Sequence, residues 1–208
     1  MVTAGPTVEP IDPVRYITNH SSGKMGFAIA GALAAEDARV ILITGPVHLE
    51  TIHPNIIRVN VGTAQEMLTS CLQYFEQCHA AILAAAVADF TPAVKAARKI
   101  KSKKTPLHVM LKPTADIALQ LAKQKRKNQV IGGFALETDN ELANARMKLK
   151  KKKFDFIVLN SLRDKGAGFN TDTNKITILD KYNNIDKFEL KSKEEVARDI
   201  IHKLSELL

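Results

Sequence analysis

Residues 3–26 read Thr-Ala-Gly-Pro-Thr-Val-Glu-Pro-Ile-Asp-Pro-Val-Arg-Tyr-Ile-Thr-Asn-His-Ser-Ser-Gly-Lys-Met-Gly, and they form the stretch that decides the fold. A short apolar start, Met1 to Ala4, is a candidate strand, and a helix is predicted from Lys24 to about Asp37. The connection between them is long, polar and rich in turn residues, and such a connection inside a compact domain is usually functional. The sequence therefore opens with a strand, a functional loop and a helix.

The end of this loop has the composition of an anion site. Ser21, Ser22 and Gly23 stand where the helix begins at Lys24, so two hydroxyls, backbone N–H groups, the Lys24 ammonium and the positive end of the helix converge there. The anion that fits best is a phosphate. A Walker loop does not fit, because Thr18 and Met25 occupy positions that need Gly and Ser or Thr, and a full G-x-G-x-x-G is absent. A Gly/Ser-rich turn without a ligand is the alternative.

Outward from this stretch, strand and helix patterns alternate along the chain. Strands are predicted at residues 39–44, 56–61, 80–87, 130–135 and 154–159, with a late hairpin at 176–180 and 187–190. Helices are predicted after four capping residues, which are Thr63, Thr114, Thr138 and Ser192. This order predicts a single-domain α/β fold: a doubly wound, mostly parallel, Rossmann-like sheet with helices on both faces and a late antiparallel hairpin. The loops after Ala4, Val87, Ala135 and Leu159 should then share one edge, where ligands bind.

The bulk properties exclude several classes of protein. The chain has 208 residues, a net charge of +8 and a pI near 9.5, which allows anionic small molecules, nucleic acid or a membrane surface as partners. It contains no run of 18 apolar residues and no signal-peptide pattern, so we expect a cytoplasmic protein that does not span a membrane. Cys71 and Cys78 lie too far apart along one predicted helix to form a disulfide.

Small residues followed by a carboxylate end the strand at residues 80–87. Ala85 and Ala86 would let a flat ring approach the backbone, and Asp89 would bind a metal or a ligand. A solvated turn is the alternative for Asp89. Phe134, at the end of a later strand, is either a core residue or a neighbour of a nucleobase.

Lysines and one further aspartate are candidates for phosphate and ribose binding. Lys99 belongs to the basic segment 99–104, and Lys148 and Lys152 lie four residues apart on one helix face. Solvated surface lysines are the alternative in both cases. Asp116, in the first turn of a predicted helix, either complements the helix dipole or accepts ribose hydroxyls.

Taken together, these segments resemble the phosphopantothenate–cysteine ligase family of coenzyme A biosynthesis, in its bacterial, CTP-using type. The matching residues, in the family's order and over almost the whole chain, are 3–15, 19–26, 85–90, 99–101, 134–138 and Asn160. Leu136 and Ser161 depart from the family pattern, and the change at Ser161 weakens any role for Asn160.

The resemblance implies a reaction in two steps. The carboxylate of 4′-phosphopantothenate would attack the α-phosphate of CTP, and the amine of cysteine would then displace CMP from the acyl-cytidylate. It implies Asn19 and Lys99 as catalytic residues and Asp89 as a ligand of Mg²⁺. The implied nucleotide-binding residues are Ser21, Ser22, Gly23, Ala85, Ala86, Asp116, Phe134, Lys148 and Lys152.

The resemblance also implies an assembly. Family members of this type are homodimers, and residues 91–110 have little patterned core of their own, so dimer contacts would order them. In many bacteria the domain follows a flavin-containing decarboxylase, so residues 1–208 would be the ligase domain of a bifunctional protein. Two other classes stay open. An NAD(P)-binding oxidoreductase would need a ribose-binding acid or Arg after the second strand, where the chain has Thr44, Gly45 and Pro46; a nucleic-acid-binding domain would use the lysine clusters.

Overall fold

The computed structural model describes residues 1–101, 106–137, 139–161 and 171–208, with the side chain of Ser161 excluded. The described residues form five helices, and none of them is long and apolar enough to cross a membrane. The helices are α1 (Lys24–Ala35), α2 (Ala64–Phe75), α3 (Ile117–Gln124), α4 (Glu141–Lys152) and α5 (Lys193–Leu207).

Within the described ranges, eight of the strands pair into one central sheet. These are β1 (Val2–Ala4), β4 (Val40–Thr44), β5 (Ile56–Asn60), β6 (Ala80–Leu83), β9 (Val130–Glu137), β10 (Phe156–Ser161), β12 (Ile176–Asp180) and β13 (Ile185–Lys187). The remaining strands form three two-stranded ribbons: β2 (Val8–Pro10) with β3 (Tyr16–Thr18), β7 (Phe90–Pro92) with β8 (Leu111–Pro113), and β11 (Thr173–Asn174) with β14 (Lys191–Ser192).

The sheet has the doubly wound order β13-β12-β10-β9-β6-β1-β4-β5. Within this sheet the neighbouring strands β10, β9, β6, β1, β4 and β5 all pair in parallel. Strands β12 and β13 add an antiparallel hairpin at the edge next to β10. Strand order reverses between β1 and β6, so the crevice at their carboxyl ends is the expected ligand site. The predicted fold class is confirmed.

Two apolar layers cover the two faces of the sheet. One face packs against α2, α3 and α4 through residues such as Phe75, Leu121 and Leu149, and the other packs against α1 and α5 through Ile29 and Ile200. Because both faces are covered, the central strands carry near-continuous apolar runs rather than alternating ones. This explains the unbroken run that predicted β6.

Two glycines of β9 face two phenylalanine rings next to β10. A Cβ at Gly132 would lie 2.2 Å from the ring of Phe156, and one at Gly133 would lie 2.1 Å from the ring of Phe154. Phe156 belongs to the α1–α5 layer and Phe154 to the other layer. On each face of the sheet, one phenylalanine ring therefore occupies the space that a side chain at the glycine position would fill.

A buried carboxylate connects several segments of the fold by hydrogen bonds. Asp155 has a side chain that is 3% exposed; it accepts hydrogen bonds from the backbone N–H of Ile131 (2.7 Å) and from Lys181 (2.9 Å), and it also pairs with Lys125. Burial raises the pKa of this carboxyl, but its hydrogen bonds to Lys125, Ile131 and Lys181 outweigh burial, so the pKa is lowered below 3.8. The ionised form therefore stabilises the fold.

Several predicted element ends differ from the structure. The strand predicted at 80–87 ends at Leu83, because the next residues bond to the loop after β1 instead of to a strand. Thr114 is not the cap of α3; the cap is Asp116, whose carboxylate accepts from the N–H of Leu119 at 3.1 Å. The second strand of the late hairpin is 185–187 rather than 187–190.

The other helix starts predicted from the sequence agree more closely with the structure. Thr63 caps α2, although the Glu66 carboxylate accepts from Gly62 rather than from Thr63 itself. Ser192 caps α5 with both hydrogen bonds of a capping box, and α1 begins at Lys24 as predicted. The cap predicted at Thr138 lies outside the described residues, as does part of the basic segment 99–104.

Candidate functional site

Two cavities open at the carboxyl ends of β1 and β6, and they share a wall. The α1 cavity, of about 270 Å³, is lined by residues 21–26, 84–87, Asp89, 134–136, Lys148, Asn160, Asn174 and Lys193. The α3 cavity, of about 280 Å³, is lined by Thr3, Leu83, Ala85, Val87, Asp89, 114–118, Phe134, Lys148, Lys152 and Phe154. Together they occupy the crevice at which a doubly wound sheet binds its ligand.

The start of α1 forms one side of the α1 cavity. Gly23 is the N-cap residue with a φ of 79°, and a Cβ there would lie 3.0 Å from a methyl group of Val47, so both the backbone conformation and the space favour glycine. Its N–H is bonded to the hydroxyl of Ser21 at 3.3 Å. Because glycine has no side chain to cap the helix, the first turn of α1 presents N–H groups to the cavity, which suits an anion.

Gly26 lets this helix sit directly on the first strand. A Cβ at Gly26 would lie 2.6 Å from the Cβ of Ala4 and 3.0 Å from the carbonyl oxygen of Thr3. The absence of a side chain therefore brings the first turn of α1 against the end of β1. The predicted residues Ser21, Ser22 and Gly23 all line the cavity as a result.

The segment after β6 forms the opposite side. The N–H of Ala86 donates to the carbonyl oxygen of Gly5 at 2.9 Å, and Ala86 bridges Pro6 in parallel fashion. The side-chain amide of Asn19 donates to the carbonyl oxygen of Ala86 at 2.9 Å. The long first loop and the small-residue segment are therefore joined, and two predicted residues, Asn19 and Ala86, are in contact. Ala86 lines the α1 cavity, whereas Asn19 lines neither cavity.

Lys148 stands between the two cavities. It lines both of them, and burial lowers its pKa. The Glu137 carboxylate raises this pKa, Lys152 lowers it, and Asp89 and Asp116 raise it. Because burial disfavours the charged form of Lys148, an additional anion beside it would stabilise that form, as expected for a phosphate-binding lysine.

Asp116 and Lys152 form an ion pair at the edge of the α3 cavity. One oxygen of Asp116 caps α3 and the other accepts from Lys152, so the two predicted ligand-binding side chains are bonded to each other. Phe134, half-buried, lines both cavities together with Ala85. Their roles toward ribose and base stay predictions.

Asp89 is exposed and also lines both cavities. Among the described residues, no group of three or more His, Cys, Asp or Glu side chains is arranged to hold a metal by protein ligands alone. Mg²⁺ commonly binds through one or two carboxylates together with substrate phosphates. A single carboxylate beside a phosphate site fits that pattern.

Lys99 does not line either cavity of its own chain. Lys99 is exposed. Its neighbour Ile100 is hydrogen-bonded to the long first loop: the Asp12 carboxylate accepts from the N–H of Ile100 at 3.1 Å, and Arg15 donates to the carbonyl oxygen of Ile100 at 3.1 Å. Arg15 and Asp12 are also paired at 2.5 Å, and this hydrogen bond helps to lower the pKa of Asp12 well below its usual range. These hydrogen bonds hold the start of the basic segment against the long first loop.

Three polar side chains of the α1 cavity carried no binding role in the sequence analysis: Asn160, Asn174 and Lys193. Asn174 and Lys193 come from the last quarter of the chain, and only the packing of α5 beside α1 brings them to residues 21–26. One signal was available for Lys193, because a lysine in the first turn of a helix opposes the helix dipole.

Comparisons with known proteins identify the family of the chain. The sequence profile of the "DNA/pantothenate metabolism flavoprotein C-terminal domain" family matches residues 1–208. The coenzyme A biosynthesis bifunctional protein CoaBC of Bacillus subtilis is 41% identical over 207 residues, which is 100% of this chain and 51% of that protein. A protein of an unknown prokaryotic organism named cysteine/cysteine sulfinic acid decarboxylase is 56% identical over 207 residues, 100% of this chain and 58% of its own length. The chain thus spans a little over half the length of these curated relatives.

Solved structures show the same fold. The C-terminal domain of a CoaBC protein superposes with a TM-score of 0.82 at 36% identity, over 98% of this chain and 91% of that one. A Cab2 mutant, H337A, in complex with phosphopantothenate-cysteine, superposes with a TM-score of 0.78 at 18% identity, over 99% of this chain and 86% of that one, which supports the fold alone. The resemblance drawn from the sequence is confirmed: the chain belongs to the DNA/pantothenate metabolism flavoprotein C-terminal domain family, together with the C-terminal domain of CoaBC.

Proposed function

We propose that this domain joins cysteine to 4′-phosphopantothenate in coenzyme A biosynthesis, with CTP as the activating nucleotide. The observation that carries the proposal is that Ala86, the first turn of α1 and Lys148 line one cavity, with Asn19 hydrogen-bonded to Ala86. Family membership adds support, since CoaBC is named for coenzyme A biosynthesis.

In the first step, a carboxylate oxygen of the acid attacks the α-phosphorus of CTP. A P–O bond to the acyl group forms, the bond to the β-phosphate breaks, and pyrophosphate leaves. Such a transfer needs positioning and charge neutralisation more than a strong base. The N–H groups of α1 with Ser21 and Ser22, and the ammonium groups of Lys148 and Lys152, would hold the phosphates. Asp89 would hold Mg²⁺, which would supply further neutralisation of the phosphate charge.

In the second step, the amine of cysteine attacks the acyl carbon. A C–N bond forms, the bond to the phosphate oxygen breaks, CMP leaves, and the amine proton passes to solvent. Asn19 would donate a hydrogen bond to the acyl-cytidylate from the amide that now contacts Ala86. Ala85, Ala86 and Phe134 would frame cytosine, and Asp116 would release Lys152 to accept ribose hydroxyls.

Lys99 requires a second copy of the chain in this proposal. Two ribbons next to it, β2–β3 and β7–β8 with its connecting loop, expose apolar side chains that include Tyr16, Val94 and Met110. A homodimer that buries these side chains would bring Lys99 of one protomer to the crevice of the other. A monomer by light scattering that is fully active would contradict this arrangement.

Two further parts of the proposal concern context. We place the reaction in the cytoplasm and expect the ligase to act beside a phosphopantothenoylcysteine decarboxylase, either fused to it or as a partner. The alternatives of an NAD(P)-dependent oxidoreductase and a nucleic-acid-binding domain have no comparable support in the family comparison.

The deciding experiment measures pyrophosphate release with CTP or ATP, with and without phosphopantothenate and cysteine. We expect release that depends on CTP, Mg²⁺ and the acid, and CMP release that depends on cysteine. Turnover with ATP and none with CTP would refute the nucleotide assignment. Release of CO2 from cysteine or cysteine sulfinic acid by this chain, without pyrophosphate release, would instead favour the activity for which its 56% identical relative is named.

A further inference from the structure

The chain after β6 leaves the central sheet, and threonine side chains supply hydrogen bonds that a neighbouring strand would otherwise make. Strand β6 ends at Leu83, and the residues after it bond to the loop that follows β1. The hydroxyl of Thr3 accepts a hydrogen bond from the backbone N–H of Ala85 at 3.2 Å. Because backbone groups that are buried away from water need partners, the shape of this segment depends on such side chains.

Ala88 is bonded by a threonine hydroxyl at each side of its backbone. Its N–H donates to the hydroxyl of Thr7 at 2.9 Å, and its carbonyl oxygen accepts from the hydroxyl of Thr114 at 2.7 Å. The backbone N–H of Thr114 also donates to the carbonyl oxygen of Asp89 at 2.9 Å. Three hydrogen bonds therefore fix the backbone of Ala88 and Asp89.

Thr7 is buried and is itself held by its neighbours. It is 0% exposed, its carbonyl oxygen accepts from the hydroxyl of Thr18 at 2.8 Å, and its N–H donates to the carbonyl oxygen of Ala86 at 3.3 Å. Thr7 lines neither the α1 cavity nor the α3 cavity. Its hydroxyl can therefore influence a ligand only through the residues that it holds.

Asp89 depends on this support because it is exposed and lines both cavities. A carboxylate that binds a metal from an exposed position gains affinity when its backbone is already fixed, since less conformational freedom is lost on binding. Groups that orient a metal ligand without touching the metal typically change the metal affinity by about 10–100-fold. The threonine hydroxyls stand in this relation to Asp89.

We propose that Thr7 and Thr114 are positioning residues for Asp89: their hydroxyls hold the backbone of Ala88 and so keep the Asp89 carboxylate where it meets the Mg²⁺ of the nucleotide triphosphate. This inference rests on the proposed function, which gives Mg²⁺ to Asp89 and no role to either threonine. Thr114 lines the α3 cavity and Thr7 does not, so Thr7 separates positioning from direct contact with a ligand.

The test measures by calorimetry the affinity for CTP with and without Mg²⁺, and the ratio of the two affinities reports what the metal contributes. Thr7→Val and Thr114→Val remove a hydroxyl, Thr7→Ser and Thr114→Ser keep it, and Asp89→Asn removes the carboxylate charge. Thr69→Val is the matched control. Thr69 is exposed, lines neither cavity, and donates its hydroxyl to the backbone carbonyl oxygen of Gln65 at 3.0 Å.

We expect Asp89→Asn and both valine variants to lower this ratio by about tenfold or more, the scale of a partner that orients a metal ligand. The serine variants and Thr69→Val should keep the ratio within about twofold of the wild-type value, because the hydroxyls that hold Ala88 remain. Adding Thr7→Val to Asp89→Asn should leave the ratio at the value of Asp89→Asn alone, since the two residues act as one unit.

A valine variant that lowers the ratio no more than its serine counterpart, or no more than Thr69→Val, would overturn the proposal. An unchanged ratio in Asp89→Asn, or a further fall when Thr7→Val is added to it, would do the same. Because Thr7 is buried, Thr114→Val and its combination with Asp89→Asn decide the matter if Thr7→Val fails to fold.

Binding needs no turnover, so the two proposals fail separately. If the ratio depends on both hydroxyls through Asp89 but the chain releases no pyrophosphate, the ligase proposal is wrong and the positioning role stands. If the chain releases pyrophosphate from CTP with Mg²⁺ while the ratio is insensitive to the hydroxyls, the positioning role is wrong and the ligase proposal stands.

Discussion

Two glycines of α1 give a matched test of how the helix is seated at the candidate site. At Gly26 an added Cβ would lie 2.6 Å from the Cβ of Ala4, whereas at Gly31 it would meet no atom within 4 Å. Carbon atoms in ordinary contact lie about 3.5–4.0 Å apart. Gly26→Ala must therefore push the start of α1 away from β1 by about 1 Å, while Gly31→Ala changes only the helix.

The expected stabilities follow from two terms. Overpacking of a tight site costs about 1–3 kcal/mol, and replacing glycine by alanine inside a helix returns up to about 1 kcal/mol. Gly26→Ala should lower the free energy of unfolding by about 1–2 kcal/mol, and Gly31→Ala should raise it by about 0.5–1 kcal/mol. At a denaturant slope of about 2 kcal/mol per molar urea, the two midpoints should differ by about 1 M.

The assay is urea denaturation of both variants and the wild type, followed by CTP binding. Because residues 21–26 line the α1 cavity, Gly26→Ala should also weaken CTP binding, and Gly31→Ala should leave it unchanged. If both variants are stabilised, or if CTP binding is lost equally in both, α1 is not held against β1 as described.

Three other predictions concern catalysis and acid stability. Lys99→Ala should lower kcat by about 100-fold, the scale of a charge aimed at the transition state, whereas Lys148→Ala should mainly raise the KM for CTP; equal effects of the two substitutions in steady-state assays would show that the lysines are wrongly assigned. Asn19→Asp should bind CTP within a few-fold of the wild type but lower ligation by about 100-fold or more, measured by rapid-quench comparison of pyrophosphate and CMP release, and near-normal product formation would leave Asn19 only a loop-shaping role. Since the fold lowers the pKa of Asp155 below its ordinary value, the stability that the carboxylate contributes is full above that ordinary value and is lost as the pH falls through the folded pKa. Urea denaturation should therefore show a smaller loss of stability on acidification for Asp155→Asn than for the wild type, and parallel losses would contradict a stabilising role for the ionised carboxylate.

The sequence predicted the fold where a pattern has a local physical cause. Helix α1 starts at Lys24 because Gly23 adopts the left-handed conformation that ends the loop, and α5 starts after Ser192 because its hydroxyl and Glu195 complete a capping box. The buried central strands were recognisable because both of their faces are covered. These features depend on residues close together in the chain.

The rest depended on tertiary contacts. Ala84 to Val87 reads as a continuation of β6, but Ala86 bonds to Gly5 and so leaves the ladder. Thr114 resembles a cap, yet its hydroxyl donates to the carbonyl oxygen of Ala88 at 2.7 Å, which leaves Asp116 to cap α3. Lys193 is 169 residues from Lys24 in sequence, and only the packing of α5 on the face that α1 covers could reveal that both line the α1 cavity.

The rings of Phe156 and Phe154, which pack against Gly132 and Gly133, determine the register between β9 and β10. The ends of these two strands contribute to the lining of the cavities. Phe134 pairs with Val158, and Leu136 with Asn160, only while Phe156 faces Gly132. A slip of two residues would keep every side chain on its own face of the sheet, yet it would move Asn160 along the crevice by about 7 Å. It would also press each ring onto a position that bears a side chain. The glycines, deep in the sheet and outside the lining of both cavities, thereby fix how far apart Phe134 and Asn160 lie along the crevice.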